Sequence, residues 1–290
     1  MAEIIKSTMR SRALGDELRI VMERANITGK RLAERLGWSE TRVSRILTGM
    51  SPASDLDTAS VLALCDVTGE RREALLKLAG VESLYHWETP RNALAGQMYN
   101  VARITELQEV MVPNLLQTPD YARSILSRTT TFSSEEMDSW ITKTERGQSI
   151  CNNIKGPACT FFVHERVLGL PVGNKAVMSK QLGRLLTMGA RRNISIRVVP
   201  VEFGAYPGMG NPFRLLEFAN GLMPATYDED EVAGYFDEDH KRIECVKQVI
   251  SGLGAVAYDK DQSRDTIQRI LTDQYFDDGD RDDAEHALAG

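Results

Sequence analysis

The chain contains 290 residues, of which 42% are hydrophobic and 26% are charged, and its formal net charge is −6. This composition is that of an ordinary globular protein, and the length suits two domains. The four cysteines are scattered without a CxxC pair, so the sequence predicts neither a zinc site nor a disulfide framework. The sequence contains no run of about 18 apolar residues, and its start lacks the apolar core of a signal peptide. We therefore expect a cytoplasmic protein that does not enter a membrane.

The charge is distributed unevenly along the chain. Residues 1–50 contain ten Lys or Arg and six Asp or Glu, which gives this segment a charge of +4. The rest of the chain must then carry −10 to reach the total of −6. A basic end on an acidic body excludes coating of nucleic acid by the whole chain and favours local DNA contact through the N-terminal segment.

Apolar residues recur at helical spacing through the first 80 residues and predict a compact bundle of five helices. The capping residues predict where these helices begin and end: a first helix over residues 11–25, a second capped by Thr28 and ended by Gly37, a third capped by Ser39 and ended by Gly49, a fourth beginning at Ser54 or Asp55, and a fifth over residues 70–79. The second and third helices, separated by a glycine turn, form the pattern of a helix-turn-helix.

The third helix, over residues 39–48, has the two faces that a DNA-reading helix needs. Val43, Ile46 and Leu47 are apolar, whereas polar and charged side chains occupy the other face. A bundle with merely solvated charges would give part of this pattern, so that interpretation remains an alternative. The segment resembles the bacterial Xre/Cro-type helix-turn-helix regulators in Leu32-Ala33, Leu36-Gly37, Ser39 and Ser44-Arg45.

The resemblance to the Xre/Cro type implies roles for individual side chains. Glu40, Thr41 and Arg45 correspond to base-reading positions, and Thr28, Lys30, Ser39 and Arg42 to phosphate-contacting positions. Two residues depart from the pattern. Gly29 stands where a glutamine often braces the first base contact, and Met50 stands where a basic residue is common. Both departures predict weak DNA binding by one subunit, so we expect a homodimer on a palindromic operator.

The remainder of the chain alternates between helical and strand patterns. Helices are predicted over residues 97–109, 115–128, 134–150, 176–190, 237–257 and 259–270, and strands over residues 159–165, 194–200 and 213–218. The expected fold is α+β: an all-α helix-turn-helix domain over residues 1–80, a linker and connecting helix over 81–108, a larger mixed α/β domain with a small sheet over 109–276, and an acidic flexible tail over 277–290.

A second resemblance follows from motifs in the larger domain. The segments EVMVPNLLQTPDYARSIL from Glu109, HERVL from His164, MSKQLGRL from Met178, NISIRVVP from Asn193 and GAYPGMGNPFRLLEF from Gly204 occur in this order. Together they resemble the DUF5753 (Scr1-type, antitoxin-like) domain of actinobacterial helix-turn-helix regulators. The resemblance implies a transcription regulator that is often encoded beside a small DUF397-type protein.

The sequence departs from the DUF5753 pattern at three places. Asn114 replaces a usual glycine, Tyr206 replaces a frequent histidine, and the acidic run from Tyr227 replaces a YVE-like strand. These departures indicate that the partner or ligand of this chain differs from that of other members.

Two segments of the larger domain are candidates for partner or ligand binding. Their candidate residues are Leu115, Leu116, Gln117 and Tyr121 near a proline-bounded turn, and Phe203, Tyr206 and Met209 in a glycine-rich loop. The first group could equally pack into the core. The second could line a small-molecule pocket or a protein interface. Gly208-Met209-Gly210 is not a dinucleotide fingerprint, because a strand follows it where a helix would be required.

The sequence gives little support to catalysis or metal binding. His164 and Glu165 end a predicted strand and Glu202 follows another, but neighbouring residues on a strand point to opposite faces. A structural role for Glu165 is the simpler interpretation. The acidic run at residues 228–231 and 237–239 lacks the calcium-loop spacing and indicates a solvated face or a docking site for a basic partner. We expect no catalytic residue, no metal and no cofactor.

The sequence therefore predicts a cytoplasmic, sequence-specific DNA-binding transcription regulator, dimeric and controlled through its larger domain by a partner protein or ligand. One alternative is an antitoxin-like interaction protein that sequesters a small DUF397-type partner and regulates its own expression. A third is an enzyme whose site lies in the larger domain.

Overall fold

The computed structural model describes residues 8–79, 86–90, 101–153, 155–219, 223–229 and 233–275. An N-terminal bundle of helices is followed by a mixed α/β domain built on one sheet, so the predicted α+β fold is confirmed. The predicted acidic tail over residues 277–290 lies outside the described residues.

The N-terminal domain contains α1 (Met9–Arg24), α2 (Gly29–Leu36), α3 (Glu40–Leu47), α4 (Asp55–Leu64) and α5 (Gly69–Ala79). Thr28, Ser39 and Ser54 cap α2, α3 and α4, and each side chain accepts a hydrogen bond from a backbone N–H in the first turn. These bonds satisfy donors that helix geometry leaves without partners. The apolar stripes of the helices meet in one core, which contains Leu18, Leu32, Val43, Ile46 and Leu62.

The larger domain is organised around a seven-stranded sheet whose described order is β1-β7-β6-β5-β2-β3-β4. The strands are β1 (His86–Pro90), β2 (Val101–Gln108), β3 (Ala158–His164), β4 (Ile194–Val199), β5 (Phe213–Phe218), β6 (Ala225–Glu229) and β7 (Ala233–Asp237). β2, β3 and β4 are parallel neighbours, and the other described pairs are antiparallel. The sheet is therefore larger than the small sheet that the sequence predicts.

Helices cover both faces of this sheet. They are α6 (Pro119–Thr129), α7 (Ser134–Asn152), α8 (Glu165–Gly169), α9 (Lys175–Gly189), α10 (His240–Val256) and α11 (Lys260–Tyr275). One face, here called the α9 face, packs Ile104, Phe161 and Leu216 against α9 and α11. The opposite face, the α10 face, packs Leu107, Phe162 and Leu215 against α10. The alternation along each strand thus places successive side chains in two cores.

One predicted helix, over residues 97–109, is wrong. Residues 101–108 form β2, which pairs in parallel with β3 and antiparallel with β5. β2 lies inside the sheet with neighbours on both sides, so hydrogen bonds from distant segments determine its structure. The expected linker also contributes β1, which pairs with β7. The predicted helix over residues 237–257 begins only at His240, because Asp237 is the last residue of β7.

The N-terminal bundle and the larger domain touch through the first two turns of α1 and through Leu78 of α5. Met9 and Ala13 belong to the same hydrophobic cluster as Tyr227 and Phe236 on the α9 face. The backbone N–H of Met9 donates to Oε1 of the fully buried Glu238, at 2.7 Å. A carboxylate at a helix N-terminus is favourable because the first-turn N–H groups and the helix dipole present positive charge there.

Candidate nucleic-acid interface

The turn between α2 and α3 consists of Gly37, Trp38 and Ser39. Gly37 has φ of 66°, in the left-handed region where a side chain would be strained, and its N–H closes α2 on the carbonyl of Ala33. Ser39 Oγ then accepts from the N–H of Arg42 at 3.2 Å and starts α3. A three-residue turn of this kind is typical of the DNA-binding helix-turn-helix.

The third helix separates apolar from polar residues. Val43 and Ile46 are buried against the bundle, whereas Thr41 and Arg45, four residues apart on one face, are exposed. The side chains from the first turns of α3 are therefore available for the edges of base pairs, as a recognition helix requires.

The sequence-predicted DNA-contacting residues all lie on the surface. The seven exposed residues are Thr28, Lys30, Ser39, Glu40, Thr41, Arg42 and Arg45. The first six lie at or near the N-termini of α2 and α3, whereas Arg45 lies in the last turn of α3. Helix N-termini favour phosphate because their N–H groups and dipoles are positive. The hydroxyls of Thr28 and Ser39 accept capping bonds in this structure and retain an O–H that can donate to a phosphate.

Arg42 differs from the other basic candidates because it already has partners within the domain. Its guanidinium donates to Oδ1 of Asp57 at 2.8 Å and lies 4.4 Å from the centroid of the Trp38 ring. The pair fixes the direction of the Arg42 side chain, and phosphate binding would compete with Asp57 for the guanidinium. Sequence reasoning missed Asp57 and Trp38, since the pairing joins two helices. Arg45 forms no ion pair with any residue that the structure describes.

The position of α3 is set by its close approach to α1. A Cβ added to Gly15 would lie 2.6 Å from the carbonyl oxygen of Leu47 and 2.8 Å from that of Ile46. Ser11 Oγ donates to the carbonyl of Gly49 at 2.8 Å, just after α3. Glycine is therefore required at position 15 for the two helices to pack at this distance. The C-terminal end of the candidate reading helix thus rests on the backbone of α1.

The first group of partner-binding candidates lies in the core of the larger domain. Leu115, Leu116 and Tyr121 are buried in the cluster on the α9 face, as the packing alternative expects. Gln117 is also buried, and its Nε2 donates to the carbonyl of Val112 at 2.7 Å. In this structure, Leu115, Leu116 and Tyr121 are inaccessible to a partner.

The second group is divided by burial. Phe203 and Met209 are 48% and 58% exposed, whereas Tyr206 is buried. The Tyr206 hydroxyl donates to Glu109, and the carboxylate of Glu109 also accepts from the N–H of Gly210 at 3.0 Å. Burial raises the pKa of the Tyr206 hydroxyl, and the contact with Glu109 raises this pKa further. The loop is therefore held at Glu109 and presents Phe203 and Met209 to solvent.

Comparison with known protein families finds two matches. The domain of unknown function DUF5753 matches residues 100–269, and a helix-turn-helix domain matches residues 13–75. The chain belongs to the DUF5753 family. Neither the curated proteins nor the solved structures include a match to the chain. The helix-turn-helix match supports a DNA-binding regulator, and it includes every candidate DNA contact.

In the DUF5753 domain, the residues considered for acid–base chemistry have structural partners. Glu165 accepts from the N–H of Val201 and from Arg269, both at 3.1 Å, and Glu202 accepts from the Tyr258 hydroxyl at 2.8 Å. His164 Nδ1 accepts from the N–H of Arg166 at 3.2 Å and caps α8. Burial lowers the pKa of His164, and the neighbouring charge of Arg166 lowers it further. These bonds favour the interpretation that Glu165 stabilises the fold.

The acidic run is only partly described, because residues 230–232 lie outside the described residues. Asp228 is exposed on β6, whereas Glu238 is buried and contacts α1. The run is therefore not a single solvated face. The described residues contain no group of three or more His, Cys, Asp or Glu suited to a metal ion. None of the helices in the described part of the chain is long and apolar enough to span a membrane.

Gly29, the first residue of α2, has room for a side chain. A Cβ built there would lie 3.7 Å from a methyl group of Val43, which is an ordinary contact distance. We expect Gly29→Gln to fold normally and to bind DNA more tightly by about 1 kcal/mol per subunit, because the amide can brace a contact made by α3. Fluorescence anisotropy with a duplex selected from random sequences measures the change.

The control for the Gly29 prediction is Gly183→Gln on α9, where an added Cβ would meet no atom within 4 Å. This substitution changes a helical glycine in the same way but lies in the DUF5753 domain. An equal gain in affinity from both substitutions would contradict the bracing role of position 29.

Proposed function

We propose that the chain is a cytoplasmic, sequence-specific transcription regulator. As a homodimer, it reads the major groove of a palindromic operator with α3 and is controlled through its DUF5753 domain by a partner protein or ligand. The observation that carries the proposal is the division of α3, with Val43 and Ile46 buried and Thr41 and Arg45 exposed. The match to a helix-turn-helix domain supports the same conclusion.

The proposed chemistry follows from the side chains. The guanidinium of Arg45 suits bidentate donation to O6 and N7 of guanine, and the carboxylate of Glu40 suits acceptance from N4 of cytosine. Thr28, Lys30 and Ser39 suit phosphate oxygens at the starts of α2 and α3. A single unit makes few phosphate contacts, so two copies supply the affinity, and binding weakens as salt rises.

Arg45→Ala is expected to weaken operator binding by about 1–3 kcal/mol per subunit and to relax the preference for one base pair in each half-site. Thr41→Ala is expected to have a smaller effect at a neighbouring position. Both are measured by anisotropy and by selection from random duplexes. Arg128→Ala, which removes an exposed arginine from α6 in the DUF5753 domain, serves as the charge-matched control.

Two outcomes would contradict this function. One is the same loss of affinity in Arg45→Ala and Arg128→Ala, which would show that DNA binding depends only on non-specific charge. The other is a strict monomer in analytical ultracentrifugation, both alone and on the selected duplex, which would remove the dimer.

A second candidate function is favoured by the exposure of Phe203 and Met209. Large apolar side chains presented together on one loop suit the binding of another protein. As an antitoxin-like protein, the chain would bind a small DUF397-type partner through this loop and use DNA binding to regulate its own expression.

For this second function, replacing both Phe203 and Met209 by serine is expected to weaken partner binding by at least about 2 kcal/mol, the scale of interface hot spots. The measurement is isothermal titration with the purified product of the neighbouring gene. Leu170→Ser removes another exposed apolar side chain and is the control. Equal affinity of the double variant and the control would contradict this docking site.

A further inference from the structure

A cleft of about 360 Å³ opens on the α9 face of the sheet, between the strands β2 and β5 and the helices α6 and α7. This volume lies at the lower end of the range found for small-molecule sites. The apolar lining is formed by Val110, Met111, Ile125, Leu126, Trp140 and Phe213. The lining does not include Phe203 or Met209 of the glycine-rich loop.

The floor of the cleft is a buried ion pair. Glu106 is fully buried, and the Arg214 side chain is only 7% exposed. Arg214 donates from Nε to one oxygen of Glu106 at 2.8 Å and from a terminal nitrogen to the other oxygen at 3.1 Å. Asn114 accepts from the same guanidinium, and Gln108 donates to Glu106. Removing two charges from water is costly and is seldom repaid as stability.

The charges of this floor favour one class of ligand. Glu106 and Arg214 cancel each other, and the further charged residue of the lining, Asp228, is exposed to solvent. An anionic ligand would lose its hydration without gaining a counter-charge, and a cationic ligand would gain only the solvent-screened carboxylate of Asp228. An uncharged polar group would find amide donor and acceptor atoms at Gln108 and Asn114, which are half-buried above the pair, and an apolar body would contact α6 and α7.

We propose that this cleft binds an uncharged, amphipathic small molecule. The polar end of that molecule lies at Gln108 and Asn114, above the pair of Glu106 and Arg214. Its apolar body lies along Ile125, Leu126 and Trp140. This inference deepens the proposed function and rests on it, since the bound molecule is the effector of the regulator. The cleft thereby indicates which class of ligand controls the regulator through its DUF5753 domain.

A row of side chains joins the floor of the cleft to the DNA-binding domain. Leu215 pairs with Thr226 where β5 and β6 meet, and next to this pair the guanidinium of Arg214 lies 5.6 Å from the centroid of the Tyr227 ring. Tyr227 in turn contacts Phe236 on β7, with 4.7 Å between ring centroids. Both rings share a hydrophobic cluster with Met9, whose N–H donates to Glu238. Ligand binding that shifts Arg214 and Tyr227 therefore alters the packing of the start of α1 against the larger domain.

Binding is tested on the intact protein without DNA, with the uncharged probe N-phenyl-1-naphthylamine. A saturable rise in fluorescence is expected, with at least tenfold weaker binding of the sulfonated probe 8-anilino-1-naphthalenesulfonate. Ile125→Trp, which fills the cleft, is expected to weaken binding at least tenfold. Thr129→Trp, at an exposed lining residue, gives the same readout should Ile125→Trp fail to fold. Ser127→Trp, on α6 but outside the lining, is the control.

Three outcomes overturn the binding site: no saturable signal from the uncharged probe, tighter binding of the sulfonated probe, or equal loss of binding in Thr129→Trp and Ser127→Trp. None of these readouts involves DNA. They are therefore distinguishable from failure of the proposed function, which is judged by the effect of Arg45→Ala on operator affinity.

The link to α1 is tested by amide hydrogen exchange with and without N-phenyl-1-naphthylamine. The exchange rates of the amides in the first two turns of α1 are expected to change at least twofold on probe binding. Phe236→Leu removes the ring contact outside the cleft, so it is expected to bind the probe within twofold of wild type and to abolish the change in α1. Unchanged exchange in wild-type α1, or an equal change in Phe236→Leu, overturns the link.

Discussion

Arg214→Met is expected to destabilise the protein by about 3–5 kcal/mol, because it leaves the carboxylate of Glu106 as an unpaired charge in a fully buried position. The double variant Glu106→Met/Arg214→Met is expected to recover most of this loss, since removing both charges also removes the cost of burying them. Urea unfolding followed by circular dichroism gives the three free energies of unfolding, for wild type, the single variant and the double variant.

The control for the buried pair is Arg103→Met, also on the β2–β5 ladder. Arg103 pairs with Glu217 at 3.4 Å, and its side chain is 61% exposed. Solvent screens this exposed pair, so the loss is expected to lie within about 1 kcal/mol. A double variant as unstable as Arg214→Met alone would show that the isolated charge of Glu106 is not the cause.

Gly15→Ala is expected to destabilise the helix-turn-helix domain by about 1–3 kcal/mol and to weaken operator binding. The added methyl group would meet the carbonyl oxygen of Leu47 at 2.6 Å, so α1 and α3 would have to separate. Alanine is otherwise the better helix residue, by about 0.5–1 kcal/mol. A decrease in the free energy of unfolding would therefore show that the close contact between α1 and α3 outweighs the helix propensity of alanine. Thermal unfolding and anisotropy with the selected duplex measure the two effects.

Gly183→Ala on α9 is the matched control for Gly15→Ala. Its added methyl group would meet no atom within 4 Å, so this variant is expected to be as stable as wild type or more so. Stabilisation by both substitutions would show that α1 and α3 tolerate a greater separation than the structure implies.

The local features of the fold could be predicted from the sequence. The caps at Thr28, Ser39 and Ser54 depend on residues within one turn, and each is confirmed by a hydrogen bond to the backbone. Asp259 and Gln262 form a capping box at the start of the last helix, with reciprocal bonds of 3.1 and 2.8 Å. Such interactions need no knowledge of the rest of the chain.

The strand β2 shows what a local pattern cannot predict. Its larger apolar residues, Val101, Ile104 and Leu107, recur every three positions, which fits a helical period better than an alternating one. The local signal for a strand is confined to its β-branched residues. Its structure is determined by β3 and β5, which come much later in the chain. The error at β2 also concealed Glu106, because its pair with Arg214 exists only once the two strands are adjacent.

In the candidate DNA-binding site too, some features could be predicted from local sequence and others depend on distant segments. The exposed face of α3 follows from its own sequence, and the helix-turn-helix match includes it. The contacts that hold α3 in place do not follow from its sequence, because the Gly15 contact and the pair of Arg42 with Asp57 join separate helices. Tertiary packing therefore determines how the reading helix is held, whereas local sequence determines what it presents.

The hydrogen bond from Met9 to Glu238 bears on how the chain is divided into folding units. The start of α1 is continuous with the N-terminal bundle along the chain, but by packing it belongs to the hydrophobic cluster of the DUF5753 domain. An isolated N-terminal fragment would expose Met9 and Ala13 to water and lose the carboxylate at the start of α1. Unfolding of either domain thus removes interactions from the other, so the two domains are thermodynamically linked.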